Sequence, residues 1–238
     1  MHKTIHRAAT RGFADHGWLK SHHTFSFAGY HNPERMHFGA LRVLNDDVVA
    51  QGMGFGTHPH ADMEIVSIPL SGSLAHKDST GNSEIIRTGD VQIMSAGTGI
   101  THSEFNPDQT KEVNFLQIWV LPEKRGIQPR YEQKTFDLEA QRNSLVKTVS
   151  WQKDSGALWI NQKAQFWLGS FDTNQEITVA ASDPRAGLYF FVIAGAAEIA
   201  GENLKARDAL GIMPIEKATI GFGAPSQLLV IEVPDIGG

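Results

Sequence analysis

The sequence predicts an all-β protein, a sandwich or barrel. Three observations carry that expectation: short apolar runs of strand length, turn signals between them, and no stretch of the first half that sustains a helical period. The 23 glycines and 10 prolines suit a chain that turns often. At 238 residues it fits one large all-β domain or two of ordinary size, with ample core for either.

The first-half strands follow in order. Phe38 to Leu44 (FGALRVL) reads as a strand closed by the turn signal Asn45-Asp46-Asp47. Glu64 to Leu70 (EIVSIPL) and Ser73 to His76 come next, the second ending before the turn STGN. Val91 to Met94 precedes the glycine-rich SAGTG, and Val113 to Val120 (VNFLQIWV) is the last.

Composition removes several function classes. The 20% of charged residues and net charge of −5 describe a globular surface with no footprint for nucleic acid or an anionic membrane. Without cysteine, disulfides, Fe–S clusters and thiolate zinc sites are all excluded, so any metal must be held by nitrogen and oxygen. The N-terminal stretch shows no apolar signal core, and the longest apolar run, Leu188 to Ala197, is too short to span a bilayer. The expected compartment is the cytoplasm.

The histidines are unevenly placed. All 11 fall at or before His102, so something in the first half uses imidazole and the second half does not. His58 and His60 form an HxH in GFGTHPHADMEIV. Chance alone supplies roughly 0.5 such pairs at this histidine frequency, so the tripeptide needs its context. On a strand the two share a face about 6.6–7 Å apart, in phase with Val66, Ile68 and Leu70 if the register holds, and so face the barrel interior. His102 and Glu104 repeat the spacing. Two facing pairs would supply three imidazoles and one carboxylate, a donor set for a divalent metal with open coordination positions. Glu64 is the rival carboxylate. It lies about 13 Å from His60 along a straight strand, which favours Glu104 as ligand and leaves Glu64 to a supporting or substrate-facing role.

The chain also repeats. EIVSIPLSG aligns with GLYFFVIAG, and TGDVQIMSAG with ARDALGIMPI. The equivalents are His58 with Ala181, His60 with Asp183, Glu64 with Gly187, His102 with Ile220 and Glu104 with Phe222. One competent metal site is therefore expected. Lys134 to Ala164 reads as a polar connection, giving domains at 1–133 and 134–238, the second without metal ligands.

HGWLKSHHTFSFAGY, LRVLNDD, GFGTHPHADMEIV, IMSAGTGITHSE and QIWVLPEKRGIQPRYEQ resemble, in order and spacing, segments of the pirins and of their bacterial quercetinase branch. The match is dense over residues 11–133 and thin beyond. Ser95, where cupins usually have proline, and the later position of His102 are shared with pirins and count against an ordinary cupin isomerase. The resemblance implies a bicupin, two cupin barrels face to face, with one metal in the first barrel on His58, His60, His102 and Glu104. It implies Fe(II), with Mn, Ni, Cu or Zn as alternatives that the same donors suit. The activity implied is that of a quercetin 2,3-dioxygenase, in which a flavonol or other enol and O₂ give a ring-opened depside and carbon monoxide. Glu104 is the expected base and Glu64 the alternative. The rival class is a regulatory protein whose metal senses redox state and acts through a protein partner.

The remaining histidines have plainer readings. His22 and His23 are read first as rim-packing residues, with a pocket-mouth role as the rival, and His76 as solvated beside its turn. His31 and His37 flank a turn and are assigned nothing. The five tryptophans are read as core or interface residues. Gly52, Gly54, Gly56, Gly97 and Gly99 permit a roomy cavity near the site.

Overall fold

The computed structural model describes residues 1–237. Those residues form 22 strands and one 3₁₀ turn, Ala8–Thr10, and no helix among them is long and apolar enough to cross a membrane. The strands make four sheets in two matching pairs.

In the first half a seven-stranded sheet runs in the order Arg130–Thr135, Asp90–Ser95, Glu64–Ser71, Val113–Val120, Leu41–Val49, Leu19–His23, Gly12–Asp15. A four-stranded sheet, Gly54–His60, Ile100–Phe105, Ser73–Asp78, Ser83–Arg87, closes against it. The second half repeats the plan. Its large sheet has Ala209–Met213, Gly187–Ala194, Ser226–Val233, Gln165–Phe171, Val146–Ser150 and Leu158–Trp159. Its small one has Gln175–Ala180, Lys217–Phe222, Ala196–Ile199 and Glu202–Lys205.

The N-terminal strand crosses between the halves. His2–His6 pairs antiparallel with Ala209–Met213 and covers that edge of the second sheet. Arg130–Thr135 stays with the first sheet, so a cut at residue 133 falls inside a strand.

The two large sheets pack face to face. Val66, Ile68, Leu116 and Ile118 from one meet Phe166, Tyr189, Phe191 and Leu229 from the other in one continuous apolar cluster. This corrects the expected phase of the histidines. Gly54–His60 and Glu64–Ser71 lie in different sheets, and the chain breaks direction between them, with Asp62 at φ 48°. Val66 and Ile68 therefore face the domain seam rather than the barrel interior, while Ser67, of opposite parity, points inward. Asn45-Asp46-Asp47 is likewise no turn: it lies inside Leu41–Val49, paired on both sides.

The barrels differ in filling. The second is packed by an apolar cluster that includes Phe171, Ile199, Ile220 and Phe222, with the Phe171 and Phe222 rings stacked at 4.0 Å. The first holds smaller apolar clusters around a cavity of about 540 Å³. The repeat holds in outline but two equivalences fail. His102 pairs with His58, whereas Ile220 pairs with Ile177, which makes Ile177 the counterpart of His58. Ala181 and Asp183 lie beyond the end of Gln175–Ala180, in a longer connection than the first half has.

Candidate metal centre

His58 and His60 project from Gly54–His60, and His102 projects from the neighbouring Ile100–Phe105, directly opposite His58 in register. Gly54 lets the two strands close: a Cβ there would lie 2.3 Å from the Glu104 carbonyl oxygen. The glycines expected to open the cavity thus act, at this position, in strand pairing.

The three imidazoles converge. Ring centroids are 4.4 Å apart for His58 and His102, 4.8 Å for His60 and His102, and 4.9 Å for His58 and His60. Their nitrogens lie within 4.8 Å of one another. His58 Nδ1 donates to the Gly56 carbonyl at 2.8 Å, which fixes the tautomer with Nε2 as the free donor atom for a metal. Burial and the neighbouring imidazoles push His102 down to about 3, and burial pushes His60 down to about 4, so both rings are neutral and their lone pairs available.

His102 is the telling residue. Both of its ring nitrogens are buried and neither has a hydrogen-bond partner. Buried polar atoms are rarely left so, because the desolvation cost is about 1–3 kcal/mol. A cation among the three imidazoles would satisfy one of the two nitrogens, and the donor set fits a divalent metal.

Glu104 follows His102 after a register shift. Its carboxylate is buried; Gln117 Nε2 donates to Oε2 at 2.9 Å, and Ser67 Oγ lies 3.3 Å from Oε1. Burial, opposed by these hydrogen bonds, raises its pKa to about 7. Its oxygen clusters within 4.8 Å of His102 and His76. The four residues expected as ligands are thus split between two triplets that share His102, the three histidines in one and Glu104 with His102 and His76 in the other.

His76 was expected to be solvated and is not. It is buried, with Nε2 3.1 Å from Asp78 Oδ2 and its ring 5.2 Å from that of His102. The signal was legible: His76 and Asp78 repeat the i, i+2 spacing on Ser73–Asp78, the strand next to Ile100–Phe105. Asp78 is held by Thr80 and Asn82 and lowered to about 2.

Glu64 is elsewhere. It shares parity with Val66, so it faces the other domain, where Ser95 Oγ donates to its Oε2 at 2.7 Å and the Asn161 amide does so at 3.1 Å. It does not line the cavity. Its part is to tie the two halves together.

The cavity above the histidines has an apolar side of Leu19, Phe27, Phe55 and Trp119. The Trp119 ring stands edge-on to His60 at 5.0 Å, so this tryptophan belongs to the site as well as to the wall. The polar side is Ser21, His23, Asn45 and Asp47. Of the paired histidines, His23 faces in and His22 faces out against Phe13. Asn45 and Asp47 are not among the residues the sequence points to, because Asn45-Asp46-Asp47 has the composition of a turn.

Two cupin-type barrels, one hollow and histidine-lined and one filled, define a bicupin. Comparison with known proteins agrees. The Pirin family model matches residues 4–120, and the quercetinase C-terminal cupin domain model matches 148–233. The chain is 42% identical to the quercetin 2,3-dioxygenase of Escherichia coli K12, over 98% of this chain and 99% of that one. A crystal structure of YhhW from E. coli superposes with a TM-score of 0.94 at 39% identity, each chain covered completely. A crystal structure of bacterial pirin YhhW in complex with nickel(II) gives 0.93 at 38%, over 99% of this chain and 100% of that one. The chain belongs to the pirin family.

Proposed function

We propose that this protein is a metal-dependent dioxygenase that cleaves flavonols such as quercetin, with one divalent metal held by His58, His60, His102 and Glu104. The observation that carries the reading is His102, buried with both nitrogens unpartnered behind His58 and His60, whose side chains line a largely apolar cavity of about 540 Å³. A cavity of that size suits a small aromatic substrate. The relatives named quercetin 2,3-dioxygenase and the nickel complex of YhhW support the same reading.

A bound metal would supply Lewis acidity and open positions for a substrate oxygen and O₂. The chain's own residues supply the rest. Phe27, Phe55 and Trp119 give the cavity an apolar wall on which a flat ring system would lie out of water. Gln117 and Ser67 hold the Glu104 carboxylate in one orientation. Asn45 and Asp47 offer hydrogen bonds to the hydroxyls of the substrate. Iron is the metal the family resemblance favours, and these nitrogen and oxygen donors accept nickel, manganese, copper or zinc as well.

The test is O₂ uptake on adding quercetin to protein reconstituted with Fe(II) and, separately, with Ni(II). Uptake that depends on quercetin and vanishes in His102→Ala is the expected result. No uptake with either metal, despite one bound per chain, overturns the dioxygenase reading and leaves a metal-sensing protein that acts through a partner.

A further inference from the structure

A flavonol must lose its enolic proton before it can be oxygenated, and neither carboxylate read from the sequence as its acceptor is well placed. Both oxygens of Glu104 lie within hydrogen-bonding distance of side-chain donors, and as a metal ligand it would be more fully engaged still. Glu64 faces the domain seam. Asp47 is differently situated. It is 4% exposed and in the cavity wall, where its Oδ1 accepts from Ser21 Oγ, its register partner on the next strand. Its Oδ2 has no protein partner, yet it is not among the occluded polar atoms, so it opens on the cavity.

Asn45, two residues earlier on the same face, completes the arrangement. Its Oδ1 accepts from His23 Nδ1 at 2.9 Å, again between register partners, which leaves its Nδ2 hydrogens free toward the cavity. A free acceptor and a free donor thus stand side by side on Leu41–Val49, beside the metal ligands and not among them.

Building on the flavonol reading above, we propose that Asp47 is the catalytic base of this cavity and that Asn45 stabilises the anion it creates. Asp47 Oδ2 takes the proton of the enolic hydroxyl: the substrate O–H bond breaks, its electron pair stays on the substrate oxygen, and a new O–H bond forms on the carboxylate. Asn45 Nδ2 donates to the oxyanion. Burial lifts the Asp47 carboxyl to about 7, which brings its basicity near the working pH, where a general base is most effective. The apolar wall of Phe27, Phe55 and Trp119 keeps water from competing for the proton.

Anaerobic stopped-flow absorbance tests this without any oxygenation. Nickel-loaded wild type, Asp47→Asn and Asp47→Glu are mixed with quercetin, and the red-shifted band of the ionised flavonol is followed, with metal content measured alongside. The expected result is that Asp47→Asn keeps its metal but forms the band about 100-fold more slowly or worse, and that Asp47→Glu recovers part of the rate. An unchanged rate in Asp47→Asn at equal metal content overturns the proposal and leaves the dioxygenase reading standing. Slowed ionisation in Asp47→Asn, with no O₂ uptake by wild type in the separate assay, supports Asp47 and sinks the oxygenase. Wild type that fails to ionise quercetin at all overturns the proposal.

Discussion

Gln117 Nε2 donates a 2.9 Å hydrogen bond to Glu104 Oε2 between two buried side chains. Gln117 sits on Val113–Val120 of the large sheet and Glu104 on Ile100–Phe105 of the small one, so this contact crosses the barrel and joins its two walls at the metal site. A carboxylate held this way is orientated before any metal arrives.

Truncating that donor should therefore loosen the metal. Gln117→Ala is expected to weaken metal affinity by about 10- to 100-fold, the usual cost of losing a partner behind a metal ligand. Competition with a chromogenic chelator measures it, with circular dichroism as the check on folding. Unchanged affinity would show that Glu104 needs no support from across the barrel, or that it is no ligand.

The second barrel should matter for stability alone. Phe222 is buried and stacks on Phe171 where the first barrel keeps polar groups. Phe222→Ala should cost about 3–5 kcal/mol in denaturant unfolding, the range for a large aromatic removed from a core. Metal stoichiometry should stay at one per chain. A loss of metal would mean that the two barrels share a site.

Acid should weaken the tie between the N-terminal strand and the second domain. His6 is buried, lies 2.8 Å by Nδ1 from Tyr189 Oη, and is lowered to about 4, first by burial and then by Arg35. Unfolded, it takes a proton at about 6.5; folded, it stays neutral until about 4, so the unfolded chain binds more protons between those values. Its contribution is whole above pH 6.5 and is lost as the pH falls toward 4, by as much as about 3 kcal/mol. Metal-free wild type and His6→Gln, unfolded in urea at pH 7.5 and 4.5, give the comparison. The wild type should lose more stability on acidification than the variant does. Equal losses would contradict the assignment.

The parts of the fold that sequence revealed were those with an alternating or continuous apolar pattern. Glu64–Ser71 and Val113–Val120 were legible because each carries apolar residues on both faces, one toward the seam and one toward the barrel. What such a pattern cannot assign is which face looks where. Val66 and His60 have the same parity on paper, but the reversal at Asp62 puts them on opposite sides of the large sheet. Glu64 was misplaced for the same reason.

The site itself was partly legible. His58, His60, His102 and Glu104 announced themselves through i, i+2 spacing, and the structure brings the three histidines together with Glu104 beside His102. His76 and Asp78 carry the same signal, but the turn that follows makes His76 read as solvated. Asn45 and Asp47 were hidden by composition: Asn-Asp-Asp reads as a turn, and only pairing with Leu19–His23 and Val113–Val120 turns it into a cavity wall. The crossing of His2–His6 into the far sheet has no local signature, because a five-residue edge strand is stabilised by its partner, Ala209–Met213.

The most direct test of the metal centre is anomalous diffraction from crystals loaded with nickel(II) and measured at the nickel absorption edge. One peak per chain is expected, within bonding distance of His58, His60, His102 and Glu104, and none in the second barrel. A peak held by His76, His102 and Glu104 without His58 and His60, or no peak in the first barrel, would contradict it.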